Sequence, residues 1–223
     1  MTTDLPKPDD GPGYFADWPM FGLVDDIRPA MRQAMAAGQA FALVTLISAD
    51  GGSPRPPGAQ MLVTHNSLSG FLSGGCVEAD VALHARRALA DGGFRRLIYG
   101  DGSPWPDIRL LCGARIEILV EPLSSQDQAA RELVELRDKR IPALWTTHGA
   151  ARRCGPAGAV GATPSLDLRL DPFEVKLTLP PQRRLVVVGA DPTALAIAQL
   201  GVDMGYETHM VRPRGPTAQP PVA

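Results

Sequence analysis

No apolar run in this chain approaches the roughly 18 residues a membrane helix needs. The N-terminus, MTTDLPKPDDGPGYF, carries acidic residues and lacks the hydrophobic centre of a signal peptide. Both absences predict a cytoplasmic protein with no membrane partner. Neither sign of charge dominates: the net charge of -2 argues against a nucleic-acid surface. Aromatic residues make up only 5%, so Ala, Val, Leu and Ile must fill the core. Cysteine is scarce and odd in number, at Cys76, Cys112 and Cys154. Wide spacing in a reducing compartment reads as thiols rather than a disulfide framework. His65, His84, His148 and His209 are scattered, with none at zinc spacing from a cysteine, so no metal site is expected. There is no internal repeat.

What the chain does have is length for one large or two small domains, and abundant Gly (23) and Pro (22). The first 20 residues read as a loose tail. Apolar spacing predicts a helix over Leu23–Ala37, stopped by Gly38, then a buried strand at Phe41–Ala49. Gln60–Thr64 reads as a second strand, NSLSG as a turn and FLSGG as a returning strand. The segment from Cys76 to Gly93 reads as a helix. RRLIYG and RIEILVEP read as strands flanking an irregular loop. A charged helix over Gln126–Arg140, a strand at ALWTTHG, an ill-defined stretch over Ala150–Pro164 and a hairpin in LDLRLDPFEVKLTL follow. This divides the chain at 1–20, 21–125, 126–180 (a connecting region), 181–213 and 214–223 (a disordered tail).

After Pro180-Pro181, RRLVVVGADPTALAIAQLGVDMGYETHMVRP reads as strand, tight turn, helix, strand, the opening of a doubly wound domain. The fold class is therefore α/β, an N-terminal mixed α/β domain followed by a truncated Rossmann-like βαβ segment. Two strands and a helix cannot bury their own apolar faces. That fragment is expected to pack on the preceding domain or on a second copy, as a homodimer, or to stay partly unfolded. Gly189 and Ala194 match the first and last positions of the dinucleotide fingerprint, but Asp191 stands where backbone would approach a pyrophosphate. Asp191 before Pro192 is also a good helix cap. Binding of NAD(P) is not expected.

The stretch from Gly51 to Asp80 carries the chemistry. Its first loop, GGSPRPPG, follows a buried strand and so is expected at a strand end where α/β sheets bind ligands. Pro54 and Pro56 frame Arg55 at the tip of a stiff loop, where a guanidinium suits phosphate or carboxylate. Ser53 and Gly58 belong to the same loop. Ser73-Gly74-Gly75 leads into a helix, so free amides and the helix dipole are expected to form an anion site. Cys76 falls at that helix start, a position that favours thiolate. Glu78 and Asp80 lie in the first turn and read mainly as helix-start charges. Spacing alone leaves two readings of Cys76 open, a reactive thiol or a small core residue. The same two stand for Cys112, which Gly113 follows. Arg152 and Arg153 before Cys154 would favour its thiolate, but no motif surrounds it, so it reads as structural.

The segments GGSPRPPGAQMLVT and SGGCVEADV resemble the signature of the XdhC/CoxI family, accessory proteins of xanthine dehydrogenase and carbon monoxide dehydrogenase systems. LLCGARIEILVEPL is similar to that family's second cysteine segment, with Ala114 where the family usually has a second glycine. PPQRRLVVVGADPTALA sits where the family's Rossmann domain begins. The resemblance runs from about Gly22 to Pro213. It implies binding and protection of the molybdenum cofactor, sulfuration with a cysteine desulfurase, and transfer to an apo molybdenum hydroxylase subunit, without enzymatic turnover. It further implies that the molybdopterin phosphate meets Arg55 and the amides of Ser73, Gly74 and Gly75. Cys76 or Cys112 would then contact molybdenum or carry sulfur. The competing readings are an NAD(P)-linked oxidoreductase, resting on the βαβ segment alone, and a truncated structural or regulatory partner without cofactor binding.

Overall fold

The computed structural model describes residues 24–53, 55–103, 110, 113–158, 161, 163–215 and 218. In chain order the first elements are α1 (Arg28–Ala36), β1 (Phe41–Asp50), β2 (Gln60–Val63) and β3 (Leu68–Gly70). α2 (Glu78–Asp91), β4 (Arg95–Tyr99), β5 (Arg115–Leu123) and α3 (Gln128–Asp138) follow. Then come β6 (Ala143–Thr147), β7 (Arg152–Pro156), β8 (Ser165–Leu170) and β9 (Phe173–Leu179). The last three are β10 (Arg184–Val188), α4 (Pro192–Asp203) and β11 (Glu207–Val211).

Side-chain alternation along β1 splits the core in two, because successive residues of a strand face opposite ways. Ala42, Val44 and Leu46 pack with Met61, Ile118 and the α2 face formed by Val81, Ala85 and Ala88. Phe41 and Leu43 point the other way, onto Met31 of α1, Leu133 of α3, Trp145 of β6 and Leu177 of β9. The central sheet has five strands in the order β3-β2-β1-β5-β4, and every neighbouring pair is antiparallel. Its second face is covered by α1, α3 and a four-stranded antiparallel sheet, β7-β6-β9-β8. Residues 128–179 thus supply a layer of the core.

The buried strand at Phe41, the β8–β9 hairpin and the terminal βαβ unit stand where the sequence places them, and the α2 helix forms but begins at Glu78 rather than Cys76. Other elements differ. α1 starts only at Arg28, with Pro29 inside its first turn, and Leu23 lies outside the described residues. The third strand is Leu68–Gly70, inside the expected turn, because it pairs back onto β2. FLSGG forms bends instead. Part of the stretch read as ill-defined is an edge strand, β7, paired to β6. β10 and β11 pair in parallel, and α4 covers one face through Ala194 and Ala198. Val186, Val188 and Val211 remain exposed on this unit. It docks on the rest of the chain through polar contacts: Arg140 bonds Glu207 and, at 3.0 Å, the Gln182 carbonyl.

Candidate functional site

Strand register gathers the loops at one end of the central sheet. Asp50 pairs with Arg115, while Ala49 and Tyr99 both pair with Ile116. The loops after β1 and β4 and the turn before β5 therefore meet there. The contact is close: a Cβ placed on Gly51 would lie 3.3 Å from the Ala114 Cα, and one on Gly100 only 2.1 Å from the Ala114 carbonyl oxygen. The first turn of α2 stands over the same end. The Tyr99 hydroxyl donates to Asp80 at 2.6 Å, and His84 lies 3.6 Å from the same carboxylate. The Tyr99–Asp80 bond thus anchors the first turn of α2, which begins two residues after Cys76, to the end of β4. Cys76 is exposed. Cys112 and Pro54 lie outside the described residues.

Two of the three amides expected to hold phosphate, those of Ser73 and Gly75, are already engaged. α2 begins at Glu78, two residues beyond Cys76, with Val77 as its cap residue. Valine has no acceptor to offer the helix amides, and Glu78 supplies one from the first helical position. Its carboxylate accepts from the amides of Leu72 (2.9 Å), Ser73 (2.7 Å), Gly75 (2.9 Å) and Val77 (3.2 Å), and from the Ser73 hydroxyl (2.7 Å). The Ser73 hydroxyl in turn accepts from the Cys76 amide at 3.1 Å. Burial raises the Glu78 pKa, but the donors of Ser73 and Leu72 outweigh it and hold the carboxyl below its usual range. Glu78 is therefore an internal anion, and the nest formed by Ser73, Gly74 and Gly75 is filled by the chain itself.

Arg55 is likewise not at a free loop tip. Its guanidinium folds back over the Phe71 ring at 4.6 Å and pairs with Asp25 at 2.6 Å. Ser53 closes the turn by donating its hydroxyl to the Arg55 carbonyl at 2.8 Å. Because the central sheet is antiparallel, the strand-end rule of doubly wound sheets does not locate this loop; pairing of β1 with β5 does. The loop runs from the sheet end at Gly51 into a cleft of about 580 Å³ beside the βαβ unit. Arg55, Pro56 and Gly58 line it, together with Arg183, Gly205 and Tyr206.

In the βαβ turn, Asp191 caps α4 by accepting from the Ala194 amide at 2.8 Å. Its carboxylate occupies a donor that a pyrophosphate would need. Gly189 is small for packing: a Cβ there would lie 2.9 Å from that of Ala194. Cys154 is not activated by its arginines. Burial pushes its thiol up to about 12, with Glu132 adding to the shift. Among the described residues no group of His, Cys, Asp and Glu could hold a metal ion.

Two features escape the sequence. Asp26 is held by Arg28 at 2.6 Å and by Arg137 at 2.6 Å, which ties α1 to α3. Glu121, fully buried between the two sheets, accepts from Thr147 and lies 3.4 Å from Arg152. A glutamate inside the apolar run RIEILVEP is the one signal that could have pointed to it.

By architecture this is a mixed α/β protein: an antiparallel sheet covered on both faces, followed by a parallel βαβ unit. Residues 34–100 match the model of the XdhC and CoxI family. Over 193 residues the chain is 35% identical to the molybdenum cofactor insertion chaperone PaoD of Escherichia coli (strain K12), an alignment covering 84% of this chain and 58% of that protein. Both matches support the XdhC and CoxI family for this chain. Its fold is shared with a solved structure described as a xanthine dehydrogenase from Bacillus halodurans, with a TM-score of 0.60 at 19% identity, covering 82% of this chain and 61% of that one. The chain thus spans about three fifths of the length of both relatives (58% and 61%). Among the described residues, no helix is long and apolar enough to cross a membrane.

Proposed function

We propose that this protein is an accessory factor that binds the molybdenum cofactor and delivers it to an apo molybdenum hydroxylase subunit. The carrying observation is the meeting of the Gly51 loop with Gly113-Ala114 at one end of the central sheet, where Tyr99 also anchors the first turn of α2, while Arg55 of the same loop lines the adjoining cleft. The name of the Escherichia coli relative supports the same ligand.

The residues fit part of that ligand. Arg55 has a buried Nε without a hydrogen-bond partner and lines the cleft, which suits a phosphate. The Ser73 and Gly75 amides do not fit, since Glu78 holds them. When bound, the cofactor supplies a dithiolene-held molybdenum whose oxo ligand can be exchanged for sulfur. Cys76, exposed just ahead of α2, is the first candidate thiol to contact it or to carry sulfur from a cysteine desulfurase; Cys112, one residue before Gly113, is the second. The protein works in the cytoplasm and turns over no substrate of its own. The exposed valines of the βαβ unit support a homodimer, because parallel strands are normally covered on both faces.

The test is bound molybdenum and molybdopterin in protein purified with a cofactor source. The wild type should carry both, and Cys76→Ala should lose sulfuration while keeping its fold. Wild-type protein free of molybdopterin would reject the reading.

A further inference from the structure

The cleft beside the βαβ unit holds two acidic side chains that differ in kind. Asp26 is fixed: its side chain is 14% exposed and clamped by Arg28 and Arg137. Burial alone would raise its pKa, but the bonds and charges of those arginines keep it lowered, so it stays ionised. Asp25, its neighbour, is 66% exposed and reaches across to Arg55 by one contact of 2.6 Å. A single exposed ion pair of this type is weak and easily exchanged.

Arg55 is the better-held partner. Its guanidinium lies over Phe71 at 4.6 Å, its side chain is 23% exposed, and its Nε is buried with no acceptor. If Asp25 swings into solvent, the planar fork stays in place and presents its donors to the cleft. Arg183 lines the same cleft, is exposed and has no ion pair among the described residues. Two guanidiniums facing one cleft, one of them screened only by a displaceable aspartate, match an oxyanion of more than one negative charge. Pro56, Gly58 and Tyr206 leave room for an uncharged body beside it.

We propose that this cleft is an oxyanion site for a phosphate-bearing small molecule, and that Asp25 is its resting counter-ion, displaced by the ligand from Arg55. The proposal deepens the cofactor reading, since it assigns Arg55 the same phosphate, yet it stands on the cleft alone. Asp25 also confers selectivity: neutral ligands and weak monoanions must compete with an internal carboxylate, whereas a phosphate dianion wins the exchange.

The test uses inorganic phosphate as the probe on the full chain, by titration calorimetry at low salt. Asp25→Asn should tighten binding about fivefold, the factor expected for loss of one exposed competing pair. Arg55→Lys should weaken it about tenfold, because an ammonium cannot replace the fork. Arg183→Ala should weaken it as well and, being exposed, keeps the test alive should Arg55→Lys fail to fold. Unchanged affinity in Asp25→Asn, wild-type affinity in both arginine variants, or no phosphate binding by any form would overturn the site. The cofactor reading fails separately. Phosphate binding with the expected ranking, but without molybdopterin in the purified protein, keeps the oxyanion site and rejects the cofactor. Molybdopterin retained equally by the wild type and Arg55→Lys does the reverse.

Discussion

The Glu78 carboxylate binds Ser73 twice, through its amide at 2.7 Å and its hydroxyl at 2.7 Å. Four residues separate the pair: Gly74, Gly75, Cys76 and Val77. The contact therefore does two things. It closes the turn that presents Cys76, and it fills an amide nest that would otherwise attract an external anion. In this chain an internal carboxylate, not a ligand, organises the approach to the thiol.

Glu78→Gln tests that role. Glutamine offers one acceptor oxygen and turns an amide donor toward a nest made of donors, so the variant should lose about 1–3 kcal/mol in a urea melt. The loss should depend on pH. A carboxylate whose native pKa is depressed contributes fully above its unfolded value, here 4.5, and loses that contribution as pH falls through the lowered native value. Wild type and variant should differ at pH 7 and converge in acid. A pH-independent gap would mean that packing, not charge, is what the substitution removes.

Glu121 should show the opposite sign. Burial between the sheets pushes its carboxyl from 4.5 up to about 6, and Thr147 and Arg152 pull it back only in part. An acid with a raised native pKa contributes stability that is present below the unfolded value and lost as pH rises through the native one. The shift corresponds to about 2 kcal/mol between pH 4 and pH 7. Glu121→Gln keeps an acceptor for Thr147 but does not titrate. Its stability relative to wild type should therefore rise from pH 4 to pH 7, read from paired denaturation curves. A constant difference would place the Glu121 pKa at its ordinary value.

The two glutamates also mark the limit of legibility in the sequence. Strand β1 is readable as an unbroken apolar run, and helix α2 and the β8–β9 hairpin from helical or alternating apolar spacing, because all three signals are local information. β3 is three residues long and exists by pairing with β2, and β7 is an edge strand without alternation, so neither has a local signature. The Gly51–Asp80 stretch is legible as a special segment from its glycines and prolines. The partners of its charges are not. Arg55 finds Asp25, thirty residues earlier, and Glu78 turns back on Ser73. Both choices follow from chain reversals that composition does not encode.

The described cysteines should part company in a labelling experiment. Cys76 is exposed ahead of α2, whereas Cys154 packs against the core with its thiol pushed up to about 12. At pH 8 that leaves a thiolate fraction of about one in ten thousand at Cys154. Iodoacetamide followed by peptide mass mapping should mark Cys76 within minutes and Cys154 only after denaturant is added. Rapid native labelling of Cys154 would show that β7 opens readily from β6.

Two glycines at the gathered sheet end should respond unequally to the same small change. Gly100 has φ +91°, and a Cβ there would sit 2.1 Å from the Ala114 carbonyl oxygen, a backbone atom that cannot move aside. Gly51 has φ +84°, but its Cβ would meet the Ala114 Cα at 3.3 Å, which a shift of a few tenths of an ångström relieves. Both substitutions carry the left-handed penalty of about 1–2 kcal/mol. Gly100→Ala adds a steric clash in the backbone and should cost more than about 4 kcal/mol or prevent folding. Gly51→Ala should fold with a loss near the penalty alone. Because its extra methyl pushes the glycine loop away from Ala114, it should also lower molybdopterin retention in purified protein. Equal stability loss in the two variants would mean that the turn before β5 yields to either side chain, and that the sheet end is not a rigid platform for Gly113.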